Sequence, residues 1–236
     1  MSDAAKNKVI QLKPIATLGN WCVRLLYTLI FLKLVYFVTT LNAYRQGVMN
    51  APAPGFDPVD AYIQAYDQAY DFAADLALLP GLAYVVVFIV GITLNLFWIV
   101  RSTHNAEAID PKPGRIKKWM ALLYNFIPFV NWWMPFKSVT QVWHSSLGNN
   151  DPLNARAPTF FWVWWICWVI KSVLSIQSFR LALRDGPQSH LAVLQMDLFS
   201  APFGVVSVYV FARIIRRITD AQKEALDSKV LLGALA

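Results

Sequence analysis

Four stretches of the chain stay apolar for about twenty residues at a time: 21–41, 81–100, 159–179 and 191–212. A helix needs roughly 20 mostly apolar residues to cross the hydrocarbon core of a bilayer. The runs are continuous, which excludes a membrane β-barrel, whose strands alternate with a period of two. A fifth apolar stretch, 119–136, has similar length but is interrupted by Asn125, Pro128, Asn131 and Pro135. Proline removes a backbone donor and collides with the preceding turn, so this stretch predicts helix, break, helix. The pattern predicts an all-α, polytopic helical membrane protein, one membrane domain over 1–236. Two like-oriented transmembrane hairpins flank a proline-broken segment, 119–147, on the cytoplasmic side.

The stretches between the spans predict shorter elements. Residues 42–80 form a loop outside the membrane with an amphipathic helix at 58–79. Asp57 suits an N-cap and Pro58 the first helical position, and Tyr62, Tyr66 and Tyr70 recur every four residues on one face. That face reads as a belt at headgroup level, or alternatively as a periplasmic partner surface. Pro80-Gly81 is expected to break the helix before the second span. Residues 137–147 continue the broken segment as an amphipathic helix, with Val139, Val142, Trp143 and Leu147 on one face, until the turn-rich run 148–152 ends it. Trp162, Trp164, Trp165 and Trp168 open the third span as an aromatic belt; a wall for a flat ligand such as a quinone is the sharper alternative.

Composition supports a membrane class. The chain is 57% hydrophobic and 15% charged, against about 25% charged in a globular protein. Both cysteines, Cys22 and Cys167, fall inside predicted spans, which argues against a disulfide framework or a Cys-rich metal site. The first apolar run is too long for a signal-peptide core and contains Lys33, so an uncleaved anchor is expected.

Charge decides the topology. The net charge is +7, collected at helix ends rather than in a patch. It reads as an orientation signal and an affinity for acidic headgroups, with no nucleic-acid partner expected. A cytoplasmic N-terminus, 1–20, a non-spanning 119–147 and a cytoplasmic tail, 213–236, leave only Arg45, Arg180 and Arg184 outside, of the 21 basic residues. If the broken segment spans, the tail and its Arg213, Arg216, Arg217, Lys223 and Lys229 fall outside, against the rule that cytoplasmic loops carry the excess of Lys and Arg. A short internal repeat agrees. Ile99-Val100-Arg101 precedes Asn105-Ala106 at the spacing with which Ile214-Ile215-Arg216 precedes Asp220-Ala221. Such a duplicated hairpin keeps its orientation if four segments span.

Candidate chemistry is sparse. Lys33, Lys171 and Asp197 lie within spans, where charges are costly and face protein or water. They read as a buried Lys171–Asp197 pair with a snorkelling Lys33, or as an ion path. His104, Glu107 and Asp110 match no metal pattern, and no metal, cofactor or catalytic constellation is expected. The broken segment should dock against the bundle with Asn125 and Asn131 capping its interrupted turns, because irregular backbone at membrane depth needs partners.

Arg101, Asn105-Ala106, Trp119, Ile127-Pro128, Asn131, Trp133, Pro135 and Trp143 together resemble a bacterial integral-membrane family known as the domain of unknown function DUF4328. Its hallmark is an Arg and an Asn-Ala pair ending one helix, then a W…P-x-x-N-x-W-x-P block and a downstream tryptophan. The chain departs from it at Leu123-Tyr124-Asn125, where the family often has Gly-Trp-Trp, and at Lys137, where it often has glutamine. The resemblance implies a multi-span bacterial inner-membrane protein and no established reaction.

Three functions follow in order of support. The first is a non-enzymatic accessory or scaffold subunit, with membrane lipids and a protein partner or a second copy of itself. The second is an oligomeric small-solute or ion transporter using Lys33, Lys171 and Asp197. The third is a lipid-active enzyme using Arg101, His104, Asn105 and Asn131. A specific site is expected where Pro128, Asn131 and Trp133 meet Arg101 and Asn105. For the topology, a fluorescent reporter fused to the C-terminus is expected to light up and an alkaline phosphatase fusion to stay silent; the reverse result would place the tail outside and make 119–136 a span.

Overall fold

A computed structural model describes residues 11–49, 58–112, 114–148, 151, 153–184 and 187–234, and every regular element among them is helical. Lys6, Lys8, Asp57, Asn149 and Asn150 lie outside the described residues, and so do the side chains of Tyr62, Tyr66 and Tyr70. In chain order the elements are α1 (Ala16–Met49), α2 (Pro58–Ile109), α3 (Lys118–Leu123), a 3-10 turn (Val130–Trp132), α4 (Met134–Ser146), α5 (Thr159–Ala182) and α6 (Pro187–Ala234).

Four of these helices contain a segment long and apolar enough to cross a membrane: Ala16–Asn42, Gly81–Ile109, Thr159–Ala182 and Ala192–Lys229. The helices exceed the spans drawn from the apolar runs. At 1.5 Å per residue the 52 residues of α2 and 48 of α6 extend about 78 and 72 Å, against a hydrocarbon core of about 30 Å. One expectation changes as a result. Pro80-Gly81 does not end a helix, because α2 runs through it from Pro58. The tail beyond 212 continues α6 to Ala234, and α6 also runs through Pro202. One proline forfeits one backbone hydrogen bond, whereas ending a helix leaves several groups unpaired, which an apolar environment penalises more.

The chain divides into two compact units. The first comprises Met1–Arg24, Ile92–Phe161 and Ala212–Ala236. Its core mixes apolar and polar side chains. Trp98, Phe161, Ile214, Ile215 and Ile218 are fully buried, and so are Ser102 and Asn105, with Gln222 nearly so. Buried polar groups are stable only when hydrogen-bonded. Gln222 on α6 donates through Nε2 to the Ser102 carbonyl on α2 and to Ser146 Oγ on α4, both at 2.9 Å. Gln141 Oε1 accepts the Ile116 amide at 3.2 Å, which ties the α2–α3 connection to α4. In that connection Arg115 donates to Asp110 at 3.2 Å, with its side chain only 6% exposed. Burial pushes the Arg115 pKa below its usual value, and the Asp110 carboxylate opposes that shift.

α4 forms as its pattern predicts, with Val139 and Val142 buried and Trp143 edge-on to Phe160 and Phe161 at 5.3 and 5.4 Å. Leu147, however, lies past the helix end and is exposed. Gly148 follows with φ of +73°, the left-handed conformation that closes many helices.

The second unit comprises Leu25–Gly91 and Trp162–Phe211. Leu26, Leu29, Val193 and Leu194 are buried, with Trp164 and Trp165. Trp164 stacks on Phe211 at 4.8 Å and Trp165 on Trp168 at 4.7 Å. Only Trp162 of the predicted belt is strongly exposed; the others pack because paired aromatic rings gain more than isolated ones. Phe31, Val38, Leu82, Val86, Ile89 and Phe179 stay uncovered, as suits faces turned to lipid.

Close helix approach distinguishes two glycines. A Cβ on Gly19 of α1 would overlap the Thr219 side chain of α6, whose Oγ1 accepts the Trp98 indole N–H at 3.1 Å. Small residues permit such crossings in membrane helices. A Cβ on Gly91 would lie 3.7 Å from Leu29 Cδ1, an ordinary contact. Gly19→Ala is therefore expected to cost about 1–3 kcal/mol through overpacking and to lower the melting temperature in detergent, while Gly91→Ala leaves it unchanged. Equal melting temperatures for the two variants would refute the close crossing.

Candidate functional site

The motif residues at the end of α2 form a grip on the chain that precedes α1. Arg101, His104 and Asn105 stand at i, i+3 and i+4, which puts them on one helix face. Asn105 is fully buried. Its Oδ1 accepts the Lys13 amide at 2.9 Å, and its Nδ2 donates to the Lys13 carbonyl at 2.8 Å. One side-chain amide thus pairs with both polar backbone groups of a residue, much as a neighbouring strand would. Arg101 Nη1 donates to the Pro14 carbonyl at 2.8 Å. His104 Nε2 lies 3.1 Å from the Gln11 carbonyl; a carbonyl only accepts, so that nitrogen carries the proton. Ala106 is fully buried beside them. After Pro14 the chain turns into α1, whose first bond runs from the Gly19 amide to the Ile15 carbonyl at 2.9 Å.

The gripped segment forms one wall of an open groove of about 860 Å³. Lys13, Arg101, Lys118 and Lys223 face it as cations, Trp21, Phe97 and Trp119 as aromatics, and Asp227 as its one carboxylate. The cations lie on four different segments, so no local sequence pattern brings them together.

The broken segment has a geometry of its own. Asn125 Nδ2 donates to the carbonyls of Ala121 and Leu122 at 2.8 and 3.3 Å, closing the end of α3. Pro135 lies in the first turn of α4, where its missing N–H costs nothing. Between them Phe129 has φ of +64° and ψ of −45°, and the Val130 amide donates to the Pro128 carbonyl at 2.7 Å. This is a γ-turn of the rare, strained kind. Phe129 is 86% exposed, and Phe126 and Trp133 beside it are 65% and 68% exposed.

Among the described residues no hydrogen bond or ring contact joins Pro128, Asn131 or Trp133 to Arg101 or Asn105. Arg101 and Asn105 are engaged with the segment 11–14 instead. Of the tryptophan–proline block, only Trp119 shares the groove with Arg101. Asn131 serves its turn through its backbone amide, bonded to the Ile127 carbonyl at 3.0 Å, rather than through a side-chain cap. The broken segment exposes its aromatics rather than burying them against the bundle. A strained residue is the same in sequence as an unstrained one, so nothing at Phe129 foretold its conformation.

The intramembrane charges cluster within the second unit. Asp197 accepts hydrogen bonds from Tyr36 and Ser178, both at 2.8 Å. No ion pair within 4.0 Å joins Lys171 to Asp197, whereas Lys112 and Arg115 both pair with Asp110. Lys33 Nζ lies 5.3 Å from the Tyr84 ring centroid, within cation–π range. A Cβ on Gly204 would come within 3.4 Å of Lys33 Nζ and 3.5 Å of Lys171 Cγ, so this glycine makes room for both lysines. Of the groups considered for a metal, His104 meets the Gln11 carbonyl and Asp110 meets Arg115 and Lys112.

The chain belongs to the family described as Domain of unknown function (DUF4328), whose model matches residues 63–220. No curated protein and no solved structure matches it. The gripping residues Arg101, His104 and Asn105 lie inside the matched region, while Gln11, Lys13 and Pro14, which they hold, lie outside it. Asn105→Asp removes the donor to the Lys13 carbonyl and leaves a buried oxygen facing another, at a cost of about 1–3 kcal/mol. Hydrogen exchange at the Lys13 amide is expected to accelerate roughly tenfold or more, at about 1.4 kcal/mol per decade. An unchanged rate would show that the grip does not hold the segment.

Proposed function

We propose that this DUF4328 member is a non-enzymatic accessory or scaffold subunit of a bacterial inner-membrane complex, with both termini cytoplasmic. The turn at Phe129 carries the reading. Strain in a folded chain persists only where the surroundings enforce it, and it concentrates at functional positions. Among the described residues it presents the most exposed of the large hydrophobic side chains, in a segment where Phe126 and Trp133 are exposed as well. Exposed apolar patches of this kind mark interaction sites, and aromatics dominate the energy of protein interfaces. The basic residues flanking the spans support the proposed orientation. The repeat of Ile-Val-Arg and Ile-Ile-Arg supports two hairpins of like orientation.

The charged cluster supports a structural role more than a path. Both Asp197 oxygens accept hydroxyl hydrogen bonds, and Gly204 accommodates the lysine stems, which suits a permanently packed arrangement. The grip on the segment 11–14 likewise engages the His104 and Asn105 groups that a lipid-active enzyme would need.

A photo-cross-linking residue at position 129, activated in native membranes, is expected to give a protein adduct of discrete mass that Trp133→Ala abolishes. Phe129→Gly is expected to lose the partner while melting no lower than the parent, because glycine adopts positive φ without strain. Adducts with lipid alone would overturn the scaffold reading and make the turn a membrane anchor.

A further inference from the structure

The groove beside the gripped segment has the chemistry of a lipid site, and we infer that it binds one acidic phospholipid. The phosphate lies among Lys13, Arg101, Lys118 and Lys223, and an acyl chain lies along Trp21 and Phe97. The inference is independent of the turn at Phe129.

Charge selects the headgroup. Among the described residues, four cations face the groove against the single carboxylate of Asp227. A phosphodiester satisfies such a set, and Arg and Lys are its usual partners, Arg through paired donors and Lys as a point charge. Arg101 is oriented by its bond to the Pro14 carbonyl, which uses one of its five N–H donors. A zwitterionic lipid would carry its ammonium into the same cations and lose the advantage by like-charge repulsion.

The walls select a lipid over a free anion. Trp21 and Phe97 are 51% and 62% exposed, and both lie inside membrane-spanning segments, near the start of Ala16–Asn42 and within Gly81–Ile109. An inorganic anion has no use for apolar walls, whereas an acyl chain covers them. Lys223 belongs to the far end of the span Ala192–Lys229, and cations at span ends are where acidic headgroups are recognised. Lys118 Nζ stands 6.0 Å from the Trp119 ring centroid, so the groove's rim combines an amphipathic ring with a cation, the pairing found at membrane–water interfaces.

The test uses the full chain in neutral detergent and native mass spectrometry, with phosphatidylglycerol and phosphatidylcholine titrated side by side. The first phosphatidylglycerol is expected to bind about tenfold more tightly than phosphatidylcholine. Each lysine near a headgroup contributes about 1 kcal/mol, so Lys118→Gln with Lys223→Gln is expected to remove at least tenfold of the phosphatidylglycerol affinity. Lys117→Gln with Lys137→Gln, which makes the same charge change at positions that do not line the groove, is expected to preserve it. Thermal melting of both double variants checks that each is folded. Equal affinity for the two lipids, or equal losses in the two double variants, would overturn the site. Displacement of phosphatidylglycerol by millimolar inorganic phosphate would overturn the lipid assignment and leave a simple anion site. Cross-linking at position 129 reads the scaffold proposal separately, so either reading can fail alone.

Discussion

The pairing of the Asn105 side chain with the peptide groups of Lys13 is the interaction on which the first unit depends. A fully buried amide without partners would cost several kcal/mol, and here both its oxygen and its nitrogen are satisfied by one residue of the segment that precedes α1. That pairing holds the chain before α1 and sets where the helix begins. From that start, Gly19 falls opposite Thr219, and Thr219 receives the Trp98 indole. The same held segment supplies a wall of the groove, so structural and candidate binding features share one origin.

A second constraint governs the helices: backbone groups in an apolar environment must be paired within the protein. It explains why a single proline interrupts neither α2 at Pro80 nor α6 at Pro202. It also explains what differs between α3 and α4. There two prolines and two asparagines fall within eleven residues, and Asn125 offers its own donors to the last α3 carbonyls. A helix can absorb one missing donor. Several breaks close together, with side chains competing for the freed carbonyls, favour turns.

The two candidate surfaces have different chemistry. The groove combines cations with apolar walls on four segments, while the turn at Phe129 presents aromatics on a strained backbone. The residues that carry the family resemblance contribute in different ways. Arg101, Asn105 and Ala106 build and hold the first unit. Trp143 packs against Phe160 and Phe161. Pro128 shapes the presentation of its neighbour.

The sequence by itself determined the class, the four apolar helices, the family and the broken segment, because each follows from composition or from near-neighbour chemistry: run length, proline geometry and capping amides. It also singled out Arg101 and Asn105, through the internal repeat and the family resemblance. It did not reveal their partners. Lys13 lies 92 positions from Asn105, and Lys223 and Lys118 reach the groove from separate helices. Only the tertiary structure decided that Asp197 meets Tyr36 and Ser178 rather than forming an ion pair with Lys171, that Trp164 and Trp165 pack inward, and that Phe129 adopts a positive φ. These outcomes turn on which side chains the fold brings within a few ångströms, and spacing along the chain carries no record of that.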